Sequence, residues 1–291
     1  MSQAPTRDFL ALNDHRAADL LAIVERAQTL AACWCERRMP RGLDDRRIAL
    51  IVDDGGWRNT TAFDLGIQAM GGTCVHASVT FDGREPVADL AAYLDNWVDA
   101  AVIRTPDLAL LRQFACAARS PVINARTRSN HPCETLGDLS FLRHEWGSIN
   151  DLRIAAVAPD DNISRSWAEA AAALPLTVVQ IYPEPWHVRD PSRFSARFST
   201  TTDLDALCDA DVVITDCWPR NPDAEALLPY QITADVLRRL KPEAIFIPCP
   251  PVTRGQEVSE EAMHAPACRV VEAKAFLLHA QNALLEWIFA A

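Results

Sequence analysis

A glycine pair and an arginine follow an apolar segment in the order that builds an anion site. The stretch is Asp53-Asp54-Gly55-Gly56-Trp57-Arg58, and the preceding residues 47–52 predict a buried strand of a parallel sheet. Glycines let the chain turn tightly and aim N–H groups outward, and a helix N-terminus adds partial positive charge. These features predict a phosphate-type site. An ordinary strand–helix turn with a solvated arginine fits the same residues equally well.

Two further groups of polar residues lie at the ends of predicted elements. Arg104 closes the short strand predicted over 100–104, and ligands gather at the carboxyl ends of strands in open α/β sheets. His131-Pro132-Cys133-Glu134 lead into a helix predicted over 135–146. A lone histidine is more often structural than functional. A metal bound by these residues is disfavoured, because Pro132 interrupts the group and no second ligand cluster is evident.

The elements that position these residues alternate between strand and helix. This pattern predicts an α/β fold with two domains, each a parallel sheet flanked by helices. We expect a first domain over residues 1–146 and a second over 147–272, with a boundary near Gly147. Early helices are predicted over 14–38 and 61–70. Later strands are predicted over 152–157, 176–182, 211–215 and 244–248, and helices near 164–173, 202–208, 233–240 and 273–289.

Composition restricts the class of function. The chain has 291 residues and a net charge of −11, which argues against a nucleic-acid partner. No apolar segment predicts a signal peptide or a membrane span, and nine scattered cysteines fit a reducing cytoplasm better than a disulfide framework. No Gly-x-Gly-x-x-Gly follows a strand, so a nicotinamide-dependent oxidoreductase is disfavoured. We expect no cofactor and no metal.

Several motifs occur in a fixed order along nearly the whole chain. Their types and order resemble those of the aspartate/ornithine carbamoyltransferase family, most closely its ornithine members. Beside the glycine-arginine loop, the motifs are Val98–Arg104, Pro121–Ala125 leading to His131–Glu134, Asp161-Asn162 with Ser166-Trp167, Thr215–Trp218, Cys249–Val258 and Leu278–Gln281. The resemblance implies that the last helix, 273–291, packs back on the first domain. It also implies a homotrimer.

The resemblance implies a reaction in which an amine attacks the carbonyl carbon of carbamoyl phosphate and phosphate leaves. By matching position, Arg58 and Arg104 hold the phosphate, and His131 and Arg104 polarise the carbonyl. Asp216 and Cys249 position the amine of an amino-acid-like acceptor. The remaining substrate-binding positions are Gly56, Trp57, Asn59, Arg84 (lent to a neighbouring subunit), Glu134, Asn162 (for the acceptor carboxylate) and Arg220.

Several positions depart from the family pattern. Gly56-Trp57 replace two hydroxyl donors of the phosphate loop, and Glu134 is an anion where the family has a glutamine. The arginine of the last helix becomes Leu277, and the histidine before Cys249 becomes Pro248. Each lost donor to an anion is worth on the order of 1.5–3 kcal/mol. Restoring serine and threonine at 56 and 57 is therefore expected to tighten carbamoyl phosphate binding.

Two hypotheses follow. The first is a carbamoyltransferase with an acceptor other than ornithine, since Arg220-Asn221-Pro222 replace the family's ornithine-capping loop and an acidic acceptor group suits Arg220. The second is a catalytically silent member of the fold that binds a ligand or a partner subunit. The retained arginines favour the first hypothesis, and the changes at the reacting centre favour the second.

Overall fold

The structure, a computed structural model, describes residues 7–52 and 55–290. Asp53 and Asp54, the start of the predicted anion loop, lie outside the described residues. The chain divides into two compact units. Unit 2 is Trp146–Ala273, and unit 1 comprises the described residues up to 145 and from 274 onward. The expected boundary after residue 146 falls next to this division.

Unit 1 is built on a four-stranded parallel sheet in the order β2-β1-β3-β4. Its strands are β1 (Arg47–Val52), β2 (Thr73–His76), β3 (Ala100–Arg104) and β4 (Val122–Arg126). Its helices are α1 (Ala17–Cys35), α2 (Trp57–Ala69), α3 (Val87–Leu94), α4 (Leu108–Ala117) and α5 (Pro132–Trp146). The apolar side chains of β1 and β3 are buried on both faces, as a parallel sheet covered by helices requires.

The strand register of unit 1 brings three strand ends together. Val52 pairs with Arg104, and Arg104 pairs with Arg126, so β1, β3 and β4 end side by side. Parallel strands all point the same way, and the loops that follow them therefore share one edge of the sheet. This register places the end of β1 beside Arg104 and Arg104 beside Arg126.

Unit 2 repeats the design with a five-stranded parallel sheet in the order β7-β6-β5-β8-β9. Its strands are β5 (Arg153–Val157), β6 (Thr177–Ile181), β7 (Phe198–Thr201), β8 (Val212–Thr215) and β9 (Ile245–Pro248). Its helices are α6 (Asn162–Ala173), α7 (Ala224–Leu227), α8 (Ala234–Arg238) and α9 (Glu260–Met263). The predicted α/β fold with two parallel sheets is confirmed.

The last helix, α10 (Val270–Phe289), joins unit 1 from Lys274 onward. It lies so close to α5 that a Cβ added to Gly137 would be 3.2 Å from the Cα of Leu277. Further along, Glu286 accepts two hydrogen bonds from Arg26 of α1, at 2.6 and 3.0 Å. The prediction that the C-terminal helix packs on the first domain is confirmed, although the helix begins three residues before the predicted start at 273.

The structure corrects two predicted helices and adds one strand that was not predicted. Helix α2 begins at Trp57 rather than at residue 61, because Gly56 takes the left-handed conformation (φ 112°) that turns the chain into the helix. The segment predicted as a helix over 202–208 is a 3₁₀ helix, Leu204–Asp209. Strand β7 was missed because its sequence, Phe-Ser-Thr-Thr, is polar, as an edge strand tolerates. In the described chain, no helix is long and apolar enough to cross a membrane.

Candidate active site

Arg104 and Gly56 form the closest approach in the predicted anion site. The guanidinium of Arg104 is buried at the end of β3 and lies directly against the backbone of Gly56. A Cβ at position 56 would lie 2.6 Å from Nη1 and 2.7 Å from Nε of Arg104, closer than packed atoms approach. The positive φ favours glycine at this position, and any larger residue would require the Arg104 guanidinium to shift.

Arg58 occupies the first turn of α2 beside Trp57. The Arg58 guanidinium carbon lies 4.8 Å from the centroid of the Trp57 ring, within cation–π range. The Trp57 side chain is largely exposed, at 67%, so it does not fill a cavity of unit 1. The aromatic ring instead orients the arginine at the positive end of the helix, where an anion is stabilised.

A buried polar network fixes the loop that carries His131. Asn124 of β4 donates to Leu10 O (2.8 Å) and to Asn130 Oδ1 (2.7 Å). Thr127 donates to the same Asn130 oxygen at 2.9 Å. Because these side chains are fully buried, the network is expensive to break, and it holds His131 at the N-terminus of α5.

Behind His131, two carboxyl groups share one ammonium group. Lys274 of α10 donates to Glu134 Oε1 at 2.7 Å and to Asp138 Oδ1 at 2.6 Å. Glu134 and Asp138 are four residues apart on α5 and therefore lie on one face of that helix. Both carboxyl groups are buried, and the Lys274 side chain is only 11% exposed. Removal of the Lys274 charge would leave two buried carboxyl groups without a cation.

The two carboxyl groups that share Lys274 have pKa values shifted in opposite directions. Burial is the largest influence on Glu134 and by itself raises its pKa, but Lys274 and Arg58 more than offset this and lower the pKa below its ordinary value. Burial raises the pKa of Asp138 to about 6, with repulsion from Glu134 adding to the rise and Lys274 opposing it. Glu134 is thus the carboxylate that stays ionised.

His131 is neutral at physiological pH. Its pKa is lowered to about 4, mainly by burial; Glu134, 3.8 Å from His131 Nε2, opposes this shift, and the cations Arg104, Arg126 and Lys274 add to it. A neutral imidazole keeps one N–H that donates a hydrogen bond to an oxygen gaining negative charge. The side chain therefore suits the polarisation of a carbonyl group.

Three further residues from the sequence analysis have defined surroundings in unit 1. The Asn59 side chain is buried, and its amide donates to Ala125 O at 3.4 Å. Arg84 is 88% exposed on the loop before α3 and pairs with Asp82. The Cys133 thiol is buried and donates to Asn124 O at 3.3 Å, so it is not directed to a shared metal with Glu134.

Unit 2 brings its predicted residues to the carboxyl edge of its own sheet. Asp216 follows β8 and Cys249 follows β9; these strands are neighbours, and the Cys249 N–H donates to Thr215 O at 3.0 Å. Asn162 is buried at the start of α6, whose cap residue, Asp161, accepts from the Asn162 N–H at 2.7 Å. Arg220 is exposed on the loop after β8.

The same edge of unit 2 carries polar groups that the sequence did not single out. Glu257 is buried, and burial raises its pKa. Burial likewise raises the pKa of Tyr182, and Glu257, Asp216 and Cys217 add to the rise. Burial and Asp216 raise the pKa of the Cys217 thiol to about 12, which keeps this thiol protonated. Burial and mutual repulsion therefore favour the protonated forms of these groups at this edge.

The amino-acid sequence of each unit matches a domain of one known family. Residues 7–144 match the carbamoyl-P binding domain of aspartate/ornithine carbamoyltransferase, and residues 150–288 match its Asp/Orn binding domain. The chain therefore belongs to the aspartate/ornithine carbamoyltransferase family.

Individual relatives agree with this assignment. Ornithine carbamoyltransferases of Rhodopseudomonas palustris and Bradyrhizobium diazoefficiens are each 31% identical, over 100% and 99% of this chain and 99% of their own. The crystal structure of ornithine carbamoyltransferase from Burkholderia thailandensis has a TM-score of 0.89 at 27% identity, covering 97% of this chain and 98% of its own. The crystal structure of ornithine carbamoyltransferase from Thermus thermophilus has a TM-score of 0.89 at 26% identity and covers 99% of each chain.

Lys274 and Arg126 are the residues that sequence reasoning missed at this site. Lys274 lies one helical turn before Leu277, the position at which the resemblance led us to expect an arginine. The signal available in the sequence was a basic residue, Lys274, three positions before the expected arginine. Arg126 ends β4, as Arg104 ends β3, so the rule used for Arg104 would also have identified it.

The Lys274 cluster makes a first prediction about stability. Lys274→Met leaves two carboxyl groups buried together and should lower the free energy of unfolding by about 3–5 kcal/mol in urea denaturation. Adding Glu134→Gln to Lys274→Met should recover at least about 1 kcal/mol. The matched control is Lys241→Met, which breaks a partly exposed pair with Asp211 and should cost less than about 1 kcal/mol. Equal losses at 241 and 274 would contradict the buried trio.

His131 makes a second prediction, about pH. Its pKa of about 4 in the folded protein lies below its unfolded value of 6.5, so the unfolded chain binds more protons between these pH values. Its contribution to stability is therefore full above pH 6.5 and is lost as pH falls toward 4. The stability advantage of wild type over His131→Gln should shrink by roughly 3 kcal/mol from pH 7 to pH 4. A pH-independent difference between wild type and His131→Gln would refute the neutral imidazole.

Proposed function

We propose that the protein transfers a carbamoyl group from carbamoyl phosphate to the amine of an amino-acid-like acceptor other than ornithine. The observation that carries the proposal is the Arg104 guanidinium held against Gly56, at the loop that begins α2. Membership of the carbamoyltransferase family supports the class of reaction. We assign the donor to unit 1 and the acceptor to unit 2.

In this proposal the phosphate group binds at the N-terminus of α2. Arg58 and Arg104 supply charge, and the backbone N–H groups at the start of the helix supply donors that do not depend on the lost hydroxyl side chains. Arg126 adds a third cation at the adjacent strand end. The carbonyl oxygen accepts from neutral His131 and from Arg104 as it gains charge in the transition state.

The Glu134–Lys274 pair explains how an anion is tolerated next to a phosphate site. An isolated carboxylate at 134 would repel carbamoyl phosphate, because both are negative. The Lys274 ammonium, 2.7 Å from Glu134, cancels that charge from the side of α10. The change from the family's glutamine to Glu134 and the presence of Lys274 are therefore best understood together.

The acceptor site is proposed around Asp216 and Cys249. Asp216 and Cys249 follow two adjacent strands, and groups held together in this way can orient an amine toward the carbonyl carbon. Arg220 would repel a distal ammonium such as that of ornithine and would attract a carboxylate. We therefore propose that the acceptor carries an additional acidic group. Asn162 is assigned to the acceptor's α-carboxylate.

The proposal includes a homotrimer in the cytoplasm. In the family, a basic residue reaches a neighbouring subunit's site, and Arg84 holds the corresponding place. Its side chain is 88% exposed in the single chain, which leaves it accessible to a neighbouring chain.

A transfer assay tests the proposal. The full-length protein is incubated with ¹³C-labelled carbamoyl phosphate and a panel of amino acids that includes ornithine and aspartate, and the ureido product is detected by mass spectrometry. We expect a product with at least one amine, and more product with an acidic acceptor than with ornithine. Arg104→Gln should reduce the rate about 100-fold or more, since it removes a charge that stabilises the transition state.

The control for Arg104→Gln is Arg119→Gln, an exposed arginine paired with Asp95 before β4. It should retain the wild-type rate. Absence of product with every amine, with carbamoyl phosphate lost only at its spontaneous rate, would support a catalytically silent member instead. Full activity in Arg104→Gln would remove Arg104 from the site.

The phosphate loop gives a separate prediction that reverses the expectation from sequence. Gly56→Ser should weaken carbamoyl phosphate binding at least about tenfold, roughly 1.4 kcal/mol, because its Cβ displaces the Arg104 guanidinium. Binding is measured by ligand-dependent thermal stabilisation. The matched control is Gly55→Ser, whose Cβ meets no atom within 4 Å. Tighter binding by Gly56→Ser would mean that Arg104 does not lie against this loop.

A further inference from the structure

Asp64, Cys74 and His76 form a cluster that the proposed reaction does not use. Cys74 and His76 are two residues apart on β2, so their side chains project from the same face of this strand. β2 is the edge strand of the sheet, and Asp64 reaches the pair from α2. Asp64 lies six residues beyond Arg58, which is about 9 Å along the helix from the anion site.

The three ligand atoms converge on one point. The carboxylate of Asp64 lies 3.2 Å from His76 Nε2, and Cys74 Sγ lies 3.9 Å from the same nitrogen. One oxygen, nitrogen or sulfur from each residue lies within 4.8 Å of the other two. The His76 side chain is 62% exposed and that of Asp64 is 31% exposed, so an ion can enter from solvent.

The arrangement is unlike that of a catalytic cysteine. A nucleophilic triad needs the thiol at one imidazole nitrogen and the carboxylate at the other, because the carboxylate orients the ring from behind. Here both Cys74 and Asp64 face the same nitrogen, Nε2. Three donors directed at one point are what a cation requires.

A hydrogen bond from a fourth residue fixes the carboxylate in the orientation needed. Gln68, one turn further along α2, donates to Asp64 Oδ1 at 2.6 Å. The other oxygen, Oδ2, is the one that faces His76. Outer hydrogen bonds of this kind orient metal-binding carboxylates and strengthen metal binding.

We propose that Asp64, Cys74 and His76 bind a divalent transition-metal ion of the zinc type, with water in the fourth position. Thiolate, imidazole and carboxylate ligands together are typical of tetrahedral Zn²⁺. On binding, the Cys74 thiol releases its proton to solvent and its sulfur forms the bond to the metal. The ion links edge strand β2 to α2, the helix that carries Arg58.

The test is a titration of the full-length protein with Co²⁺ alone, followed by Zn²⁺ competition. We expect one Co²⁺ per chain, with a thiolate-to-cobalt absorption band and tetrahedral visible bands, both displaced by Zn²⁺. Cys74→Ser should abolish the thiolate band, and His76→Gln and Asp64→Asn should each weaken binding about tenfold or more. Zn²⁺ should raise the melting temperature of wild type but not of Cys74→Ser.

Cysteines elsewhere provide the controls, since none of the nine in the described chain is in a disulfide. Cys35→Ser alters an exposed thiol of α1, and Cys249→Ser alters the thiol at the end of β9; both should keep the band unchanged. A band that persists in Cys74→Ser, or that disappears in Cys249→Ser, would place the metal elsewhere and overturn the proposal. Absence of any thiolate band in wild type would overturn it as well.

Discussion

The donor half of this protein depends on one buried ammonium group. Lys274 is the shared partner of two carboxyl groups that α5 buries one turn apart. Two buried carboxylates without a cation would be costly, and they would place negative charge beside the residues assigned to phosphate. Lys274 lowers the pKa of Glu134 and so keeps it ionised, whereas burial raises the pKa of Asp138 against the influence of Lys274 and keeps His131 neutral. The attachment of α10 to unit 1 is thus an electrostatic requirement as well as a packing contact.

Parallel strand pairing brings residues that are far apart in the sequence close together in space. In unit 1, the register of β1, β3 and β4 brings Arg104 to the loop before Arg58. In unit 2, β8 and β9 do the same for Asp216 and Cys249. Each sheet needs only buried apolar strands and right-handed crossovers to achieve this, and the polar residues at the strand ends are then free to vary. The fold therefore does not depend on the residues at the strand ends.

Much of the fold was predictable from the sequence, because apolar runs of strand length alternate with amphipathic helices. The two parallel sheets and the packing of the last helix on the first domain were predicted correctly. The polar edge strand β7 was missed, since it carries no apolar pattern. The start of α2 was placed four residues late, because the left-handed conformation of Gly56 is not visible in a glycine's identity alone.

The candidate site was predictable only in part. Residues at strand ends, such as Arg104 and Asp216, follow from topology, and the family resemblance supplied roles for them. Lys274 was missed because its partners lie more than a hundred residues away on another helix. Asn59 was assigned to substrate from the resemblance, and its side chain is buried in unit 1. The trio of Asp64, Cys74 and His76 escaped notice because a helix and a strand supply its members separately.

Calorimetry tests whether the loop at the start of α2 forms the proposed carbamoyl phosphate site. Wild-type protein is titrated with carbamoyl phosphate at pH 7, with inorganic phosphate as the reference ligand. We expect saturable binding of carbamoyl phosphate with a Kd between micromolar and millimolar, roughly −8 to −4 kcal/mol, and tighter than that of phosphate, because His131 and Arg104 are assigned to the carbamoyl group as well. No heat at high ligand concentration, or equal affinity for both ligands, would contradict it.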